Sequence, residues 1–240
     1  MIILIFVVVA ALAVVVGFYA HKKEKERTAA LAALAAERGW DFAPGRDAAF
    51  PRRSTRFELF TRGHSRAAFH TMRGAIDGPA RAAPFQMGDY KYSITRSTGK
   101  STTTTTYRVS YLMVEIPVAG VPDLVIRPEG FMDSVVQALG FDDIDFEDAE
   151  FSRMFMVKCK DRRFAYDLCH PRMIEWLKPR FGNGPAVVVA GGSLCFWSEG
   201  KRWEPREFLA WTETVRAFFE LWPSHLVRDL VSREEERVAR

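Results

Sequence analysis

"SITRSTGKSTTTTTYRVSYLMVEIPV", residues 93–118, decides what kind of fold this chain makes. Its Gly99-Lys100-Ser101-Thr102 copies the end of a nucleotide-binding P-loop, which would put a helix directly after the lysine. That pattern also requires a glycine five positions before Gly99, and the residue there is Ile94. A threonine run follows the lysine, and then "YRVSYLMVEI", in which β-branched and aromatic residues alternate. Such residues suit a pleated strand. The stretch therefore reads as a hairpin with Gly99 supplying a positive φ, and nucleotide binding here is excluded.

The same period of two extends upstream. "RAAFHTMRGAI" (66–76) ends at the turn signal Asp77-Gly78-Pro79, and "FQMGDYKYSI" (85–94) leads into the hairpin. Together these strands predict an antiparallel meander. Downstream, "LVIRPEG" (124–130) reads as a strand and "FMDSVVQALG" (131–140) as a short helix. "FSRMFMVKCKD" (151–161) alternates, two short helices follow within 162–179, and "AVVVAGGSLCFWSEG" (186–200) is a buried strand pair bent at Gly191-Gly192. The last long helix, 205–222, carries Phe208, Trp211, Val215, Phe218, Phe219 and Trp222 at helical spacing.

Ahead of the meander, Ile2 to Ala20 ("IILIFVVVAALAVVVGFYA") holds no charge. As a helix it would be about 28 Å long, close to the roughly 30 Å hydrocarbon core. No positive residue precedes it, and bulky Phe18 stands where a signal-peptide cleavage site needs a small residue, so an uncleaved anchor is expected. Lys22, Lys23, Lys25 and Arg27 follow at once. Positive flanks stay on the cytoplasmic side, which places the N-terminus outside and the rest of the chain in the cytosol, at the plasma membrane. The same cluster is expected to meet anionic headgroups of the inner leaflet. Residues 23–38 read as an Ala-rich helix with a thin stripe of Leu31 and Leu34, stopped by Gly39.

Composition narrows the function classes. The 240 residues carry a net charge of +4, too weak and dispersed to argue for nucleic acid. Three cysteines, Cys159, Cys169 and Cys195, make no disulfide framework and read as reduced, buried thiols. Asp143, Asp145 and Glu147 imitate the first ligands of a calcium loop, but Asp148 stands where its glycine belongs and Met154 where its last glutamate belongs. The acids therefore read as the wet side of a segment anchored by Phe141, Ile144, Phe146 and Phe151. His21, His64, His70 and His225 keep no ligand spacing. No cofactor or metal is expected. The Arg-rich stretch 44–66 offers Arg52, Arg53 and Arg56 as contacts for the membrane face or an acidic partner.

The segment "FSRMFMVKCKDRRFAYDLCHPRMIEWLK" (151–178), with the strand pair and helix after it, resembles a pattern in an uncharacterised family of bacterial membrane-anchored proteins. The resemblance implies an α+β domain and bacterial origin, and it brings no known activity. Cys169 and His170 depart from that pattern, which weakens a catalytic reading of both.

The expected architecture is α+β: an N-terminal transmembrane helix followed by an antiparallel sheet packed with helices. Its parts are an anchor (1–21), a juxtamembrane helix (22–40), a cytosolic domain (41–230) with a possible inner boundary near 130–150, and a charged tail (231–240). The expected function is a tethered, non-enzymatic module that binds a protein partner or the membrane surface. The alternative is a hydrolase whose site assembles around Cys159, Asp161, Asp167 and His170; it requires a pocket that collects at least three of them.

Overall fold

The computed structural model describes residues 2–128, 143–182, 184–197 and 200–238, with the side chains of 2–11, 13 and 238 left aside. The helix expected over 131–140 lies outside the described residues.

Eight strands form one antiparallel sheet: β1 (Asp41–Ala43), β2 (His64–Asp77), β3 (Ala82–Ser97), β4 (Thr102–Glu115), β5 (Leu124–Pro128), β6 (Phe155–Cys159), β7 (Val187–Ala190) and β8 (Ser193–Trp197). Their order across the sheet is β1-β2-β3-β4-β8-β7-β5-β6. Strands from both sides of 130–150 therefore share one sheet. The hairpin of 93–118 is present, with Ser97 opposite Thr102 and Gly99 at a φ of +80°. At its tip the threonines form cross-strand pairs: Ser93 Oγ lies 3.0 Å from Thr106 Oγ1, and Thr95 Oγ1 lies 2.8 Å from Thr104 Oγ1. Polar side chains suit this ribbon because it stands clear of the core. Further along β4, Val109 to Val114 are all buried, since that half of the strand is covered on both faces.

The first helix, α1 (Ile2–Arg38), runs without a break. Gly39, at a φ of +66°, ends it: the Gly39 amide donates to Ala36 O and the Trp40 amide to Ala35 O, the paired bonds of a left-handed C-terminal cap. The helix expected over 23–38, with its thin stripe of Leu31 and Leu34, is docked along its last turns. Leu31, Leu34 and Ala35 are buried against the sheet, where each leucine contributes about 1.5–3 kcal/mol. Beyond the domain the same helix leaves Leu12, Val14, Val15, Val16, Phe18 and Tyr19 exposed. Among the described residues no helix is long and apolar enough to cross a membrane. Much of the expected span, 2–11 and 13, has side chains outside the description.

Two cores flank the sheet. On the α1 side, α4 (Arg162–Leu168), α5 (Pro171–Phe181), α6 (Pro205–Glu220) and α7 (Ser224–Val238) add their apolar faces. On the other side, α2 (Phe50–Arg53) and a 3-10 turn (Glu58–Phe60) cover Tyr90, Tyr92, Val109 and Tyr111. Phe50, Phe57 and Phe60 are the anchors of this Arg-rich stretch; Arg46, Arg52, Arg53 and Arg56 stay exposed, while the Arg62 side chain is only 11% exposed.

One local expectation is corrected. Residues 149–154 form a helix, α3 (Ala149–Met154), because the Asp148 carboxylate caps it by accepting from the Glu150 and Phe151 amides; the strand starts only at Phe155. A helix that the sequence reading did not foresee, α7, begins before the charged tail and runs into it, held by buried Leu226 and Leu230 and by Glu234, which accepts from the Ala119 amide at 3.3 Å.

Candidate functional site

One face of α1 carries Glu24, Arg27, Thr28, Leu31, Leu34 and Ala35, residues spaced three and four apart. The lower, apolar half of this stripe enters the core. The upper, polar half lies over β2, β3 and β4 and meets Asp89, a carboxylate only 3% exposed. Arg27 donates to both its oxygens, Nε to Oδ2 at 2.8 Å and Nη2 to Oδ1 at 2.8 Å. Ser110 Oγ donates to Oδ1 at 2.7 Å, and His70 Nδ1 lies 3.0 Å from Oδ2. Burial pushes this carboxyl up, but the hydrogen bonds from His70 and Arg27, the charge of Arg27 and the Ser110 hydroxyl together leave it below the ordinary carboxylate value.

His70 reaches Asp89 through a fault in the strand. In the β2–β3 register, Phe69 faces Asp89 and Met72 faces Met87, so His70 and Thr71 share one partner position at Gly88. The extra residue is accommodated by a φ of +48° at His70, a conformation few side chains adopt. Gly88 is required: a Cβ there would stand 2.8 Å from Phe69 O and 2.9 Å from His70 O. The bulge puts Phe69 and His70 on the α1 side, where strict alternation would have sent His70 to the opposite core.

A second arm closes the cluster. Ser110 Oγ also accepts from the Trp203 amide at 2.8 Å, which brings Arg202 to the site. Arg202 Nη1 donates to both Glu24 carboxylate oxygens, at 2.8 and 2.9 Å, and lies 3.7 Å from Asp89 Oδ2. Above these pairs opens a cavity of about 650 Å³, walled by Phe69 and Pro44 and rimmed by Lys23, Lys91 and Arg108, with Ala20 at its edge.

Thr28 Oγ1, His70 Nε2 and Asp89 trace the outline of a nucleophile–base–acid relay, with Thr28 Oγ1 2.9 Å from His70 Nε2. Two features disarm it. The Thr28 hydroxyl donates to Glu24 O at 2.8 Å, so its proton is engaged within the helix. The Asp89 carboxylate is held by the Arg27 guanidinium through both its oxygens, so it is not the lone carboxylate that such a relay uses. The network holds α1 on the sheet and shapes a basic cavity.

The expected contact residues divide. Lys22, Lys23 and Lys25 are exposed. Arg27 is turned inward onto Asp89 and is not a surface contact, because its position on α1 falls on the docked stripe. Arg52, Arg53 and Arg56 are exposed, Arg53 with an ion pair to Asp47 at 2.7 Å, but their segment covers the face of the sheet opposite α1.

The alternative set does not converge. Cys159 is buried, and burial pushes its thiol up to about 11. Asp161 caps α4 by accepting from Phe164 N at 3.0 Å. Asp167 faces Arg163 and His225, while His170 Nε2 lies 2.9 Å from Leu221 O. Of the four, only Asp161 lines the cavity formed with Pro122, Asp123, Lys160 and Arg162. Cys169 and Cys195 are also buried, and burial raises both thiols. In the calcium-like stretch, Asp143 Oδ1 accepts from the Ile144 and Val157 amides and Asp148 caps α3, so both carboxylates serve the backbone. The sequence pattern points to neither Asp89 nor Arg202, and His70 is set aside for keeping no ligand spacing. The one available signal was Arg27 and Thr28 standing four and three positions before Leu31, on its face.

The fold defines an α+β protein in which an antiparallel sheet holds a long N-terminal helix across its face. The chain is similar to the crystal structure of the mycobacterial trehalose monomycolate transport factor A, TtfA, with a TM-score of 0.57, covering 82% of this chain and 96% of that one at 10% identity. At that identity the likeness shows the fold alone. No family model and no curated protein matches the chain.

Proposed function

We propose that this chain is a membrane-tethered, non-enzymatic module that holds a partner at the inner face of the plasma membrane. Ile2–Ala20 crosses the bilayer with its N-terminus outside, Lys22, Lys23 and Lys25 rest against anionic headgroups, and the α+β domain lies in the cytosol. The observation that carries this reading is the continuity of α1. One helix is buried at Leu31 and exposes Val14 at 72% and Phe18 at 70%, apolar surface that water disfavours and a bilayer covers. A rigid helix docked by an ion network transmits the position of the membrane to the domain, as a flexible linker would not.

The partner we propose is a membrane transport assembly, with this chain as an accessory subunit. The fold's likeness to a mycobacterial transport factor supports that choice.

Fractionation of cells expressing the full chain tests the tether. The expected outcome is carbonate-resistant recovery in membranes with residues 1–20 retained, and a domain protected from protease added to spheroplasts. Recovery in the soluble fraction, or a mature N-terminus beyond residue 20, overturns the reading. Co-purification of a stable transporter complex in mild detergent, lost when residues 1–20 are replaced by an unrelated span, tests the accessory role.

A further inference from the structure

We propose that the cavity between α1 and β2–β4 binds a phosphate ester, gripped by Lys23, Lys91 and Arg108 and supplied by the headgroup of an anionic membrane lipid. The lipid source rests on the tethered reading above; the phosphate chemistry does not.

The charges of the cavity are unevenly matched. Its carboxylates, Glu24 and Asp89, are each taken by an arginine, Arg202 and Arg27. Lys23, Lys91 and Arg108 line the same space and, among the described residues, have no carboxylate within ion-pair distance. Lys91 and Arg108 are moreover directly opposite each other in the β3–β4 register. Like charges facing across a strand pair destabilise it, and an anion between them turns the repulsion into attraction. The site is therefore built with a surplus of positive charge at one spot, although the chain as a whole carries only +4.

Its place and walls suit a headgroup. Ala20, the last residue of the apolar run, borders the cavity, so a ligand here sits where α1 would leave the bilayer. Phe69 and Pro44 supply an apolar wall, and the Lys91 ammonium lies 5.7 Å from the centre of the Phe69 ring. That contact aims Lys91 without neutralising it. Three separate cations around one opening match the spread oxygens of a phosphate better than a single carboxylate.

The test uses the delipidated full-length chain in detergent, titrated with phosphatidylglycerol and read by native mass spectrometry, with phosphatidylcholine as the uncharged control. In Lys91→Gln/Arg108→Gln, phosphatidylglycerol binding is expected to weaken about thirtyfold. Arg163→Gln/Arg172→Gln, the same charge change on α4 and α5, should leave it unaltered, and circular dichroism checks that both variants keep the fold. Equal phosphatidylglycerol binding by the wild-type chain and the Lys91/Arg108 variant overturns the proposal. A second arm titrates sn-glycerol 3-phosphate. Binding as tight as that of the lipid, lost in the same variant, supports the phosphate site and overturns its lipid source. This arm needs no membrane, so a chain found soluble in cells would fail the tether while leaving the cavity to stand or fall separately.

Discussion

Arg27 and Asp89, 62 positions apart, lock the first helix to the sheet through two parallel hydrogen bonds of 2.8 Å, with side chains only 10% and 5% exposed. Removing one partner leaves the other charged and buried. Arg27→Met and Asp89→Ala are each expected to cost about 3–5 kcal/mol in urea unfolding. Arg27→Met/Asp89→Leu should recover much of that loss, since a well-packed apolar pair needs no desolvated charge. A double variant as unstable as the sum of the singles would show that the two residues do not act as a pair.

Asp89 also ties stability to pH. Its carboxyl is held below its ordinary value in the fold. Its contribution is therefore fully present above the unfolded value of about 3.9 and is lost as pH falls through the folded one. Urea midpoints should stay level between about pH 7 and 5 and drop below about pH 4. Asp89→Asn, which cannot titrate, should show a shallower acid drop than the wild-type chain; an identical drop would assign the effect to other carboxylates.

The bulge at His70 depends on the missing side chain of Gly88. In Gly88→Ala the new methyl would meet the carbonyls of Phe69 and His70 inside 3 Å, backbone atoms that cannot swing aside. A loss of about 1–3 kcal/mol is expected by thermal unfolding. Amide exchange should accelerate around residues 69–72 more than in β8, and uniform acceleration would separate the loss from the bulge.

The last helix makes a further prediction. Leu226 and Leu230 are 6% and 2% exposed, so Leu226→Ala and Leu230→Ala should each destabilise the domain by about 2–5 kcal/mol. An unpacked α7 would show no change in the urea midpoint.

Much of the architecture was legible before any coordinates. The alternation after Gly99, the Gly191-Gly192 bend and the helical spacing of Phe208, Val215 and Phe219 each follow from which side chains must share a face. Residues 149–154 misled because a local cap at Asp148 outweighs an alternating pattern, and the helix from Ser224 went unforeseen because Leu226 and Leu230 offer only a short apolar stripe among charges.

The candidate site was not legible, for a reason visible in its parts. Period alone determined that Arg27 lies on the face of Leu31, that β2 and β3 are strands, and that the segment at 93–118 turns back on itself. Whether Arg27 meets lipid or a carboxylate depends on what lies beneath α1, and that is a relation between segments far apart in the chain. The bulge compounds this: one unpaired residue at His70 moves a side chain from one side of the sheet to the other, and only the packing of β2 on Gly88 selects it. Short-range spacing sets the faces of each element; which faces meet, and so where unmatched charge collects, was decided by the assembled sheet.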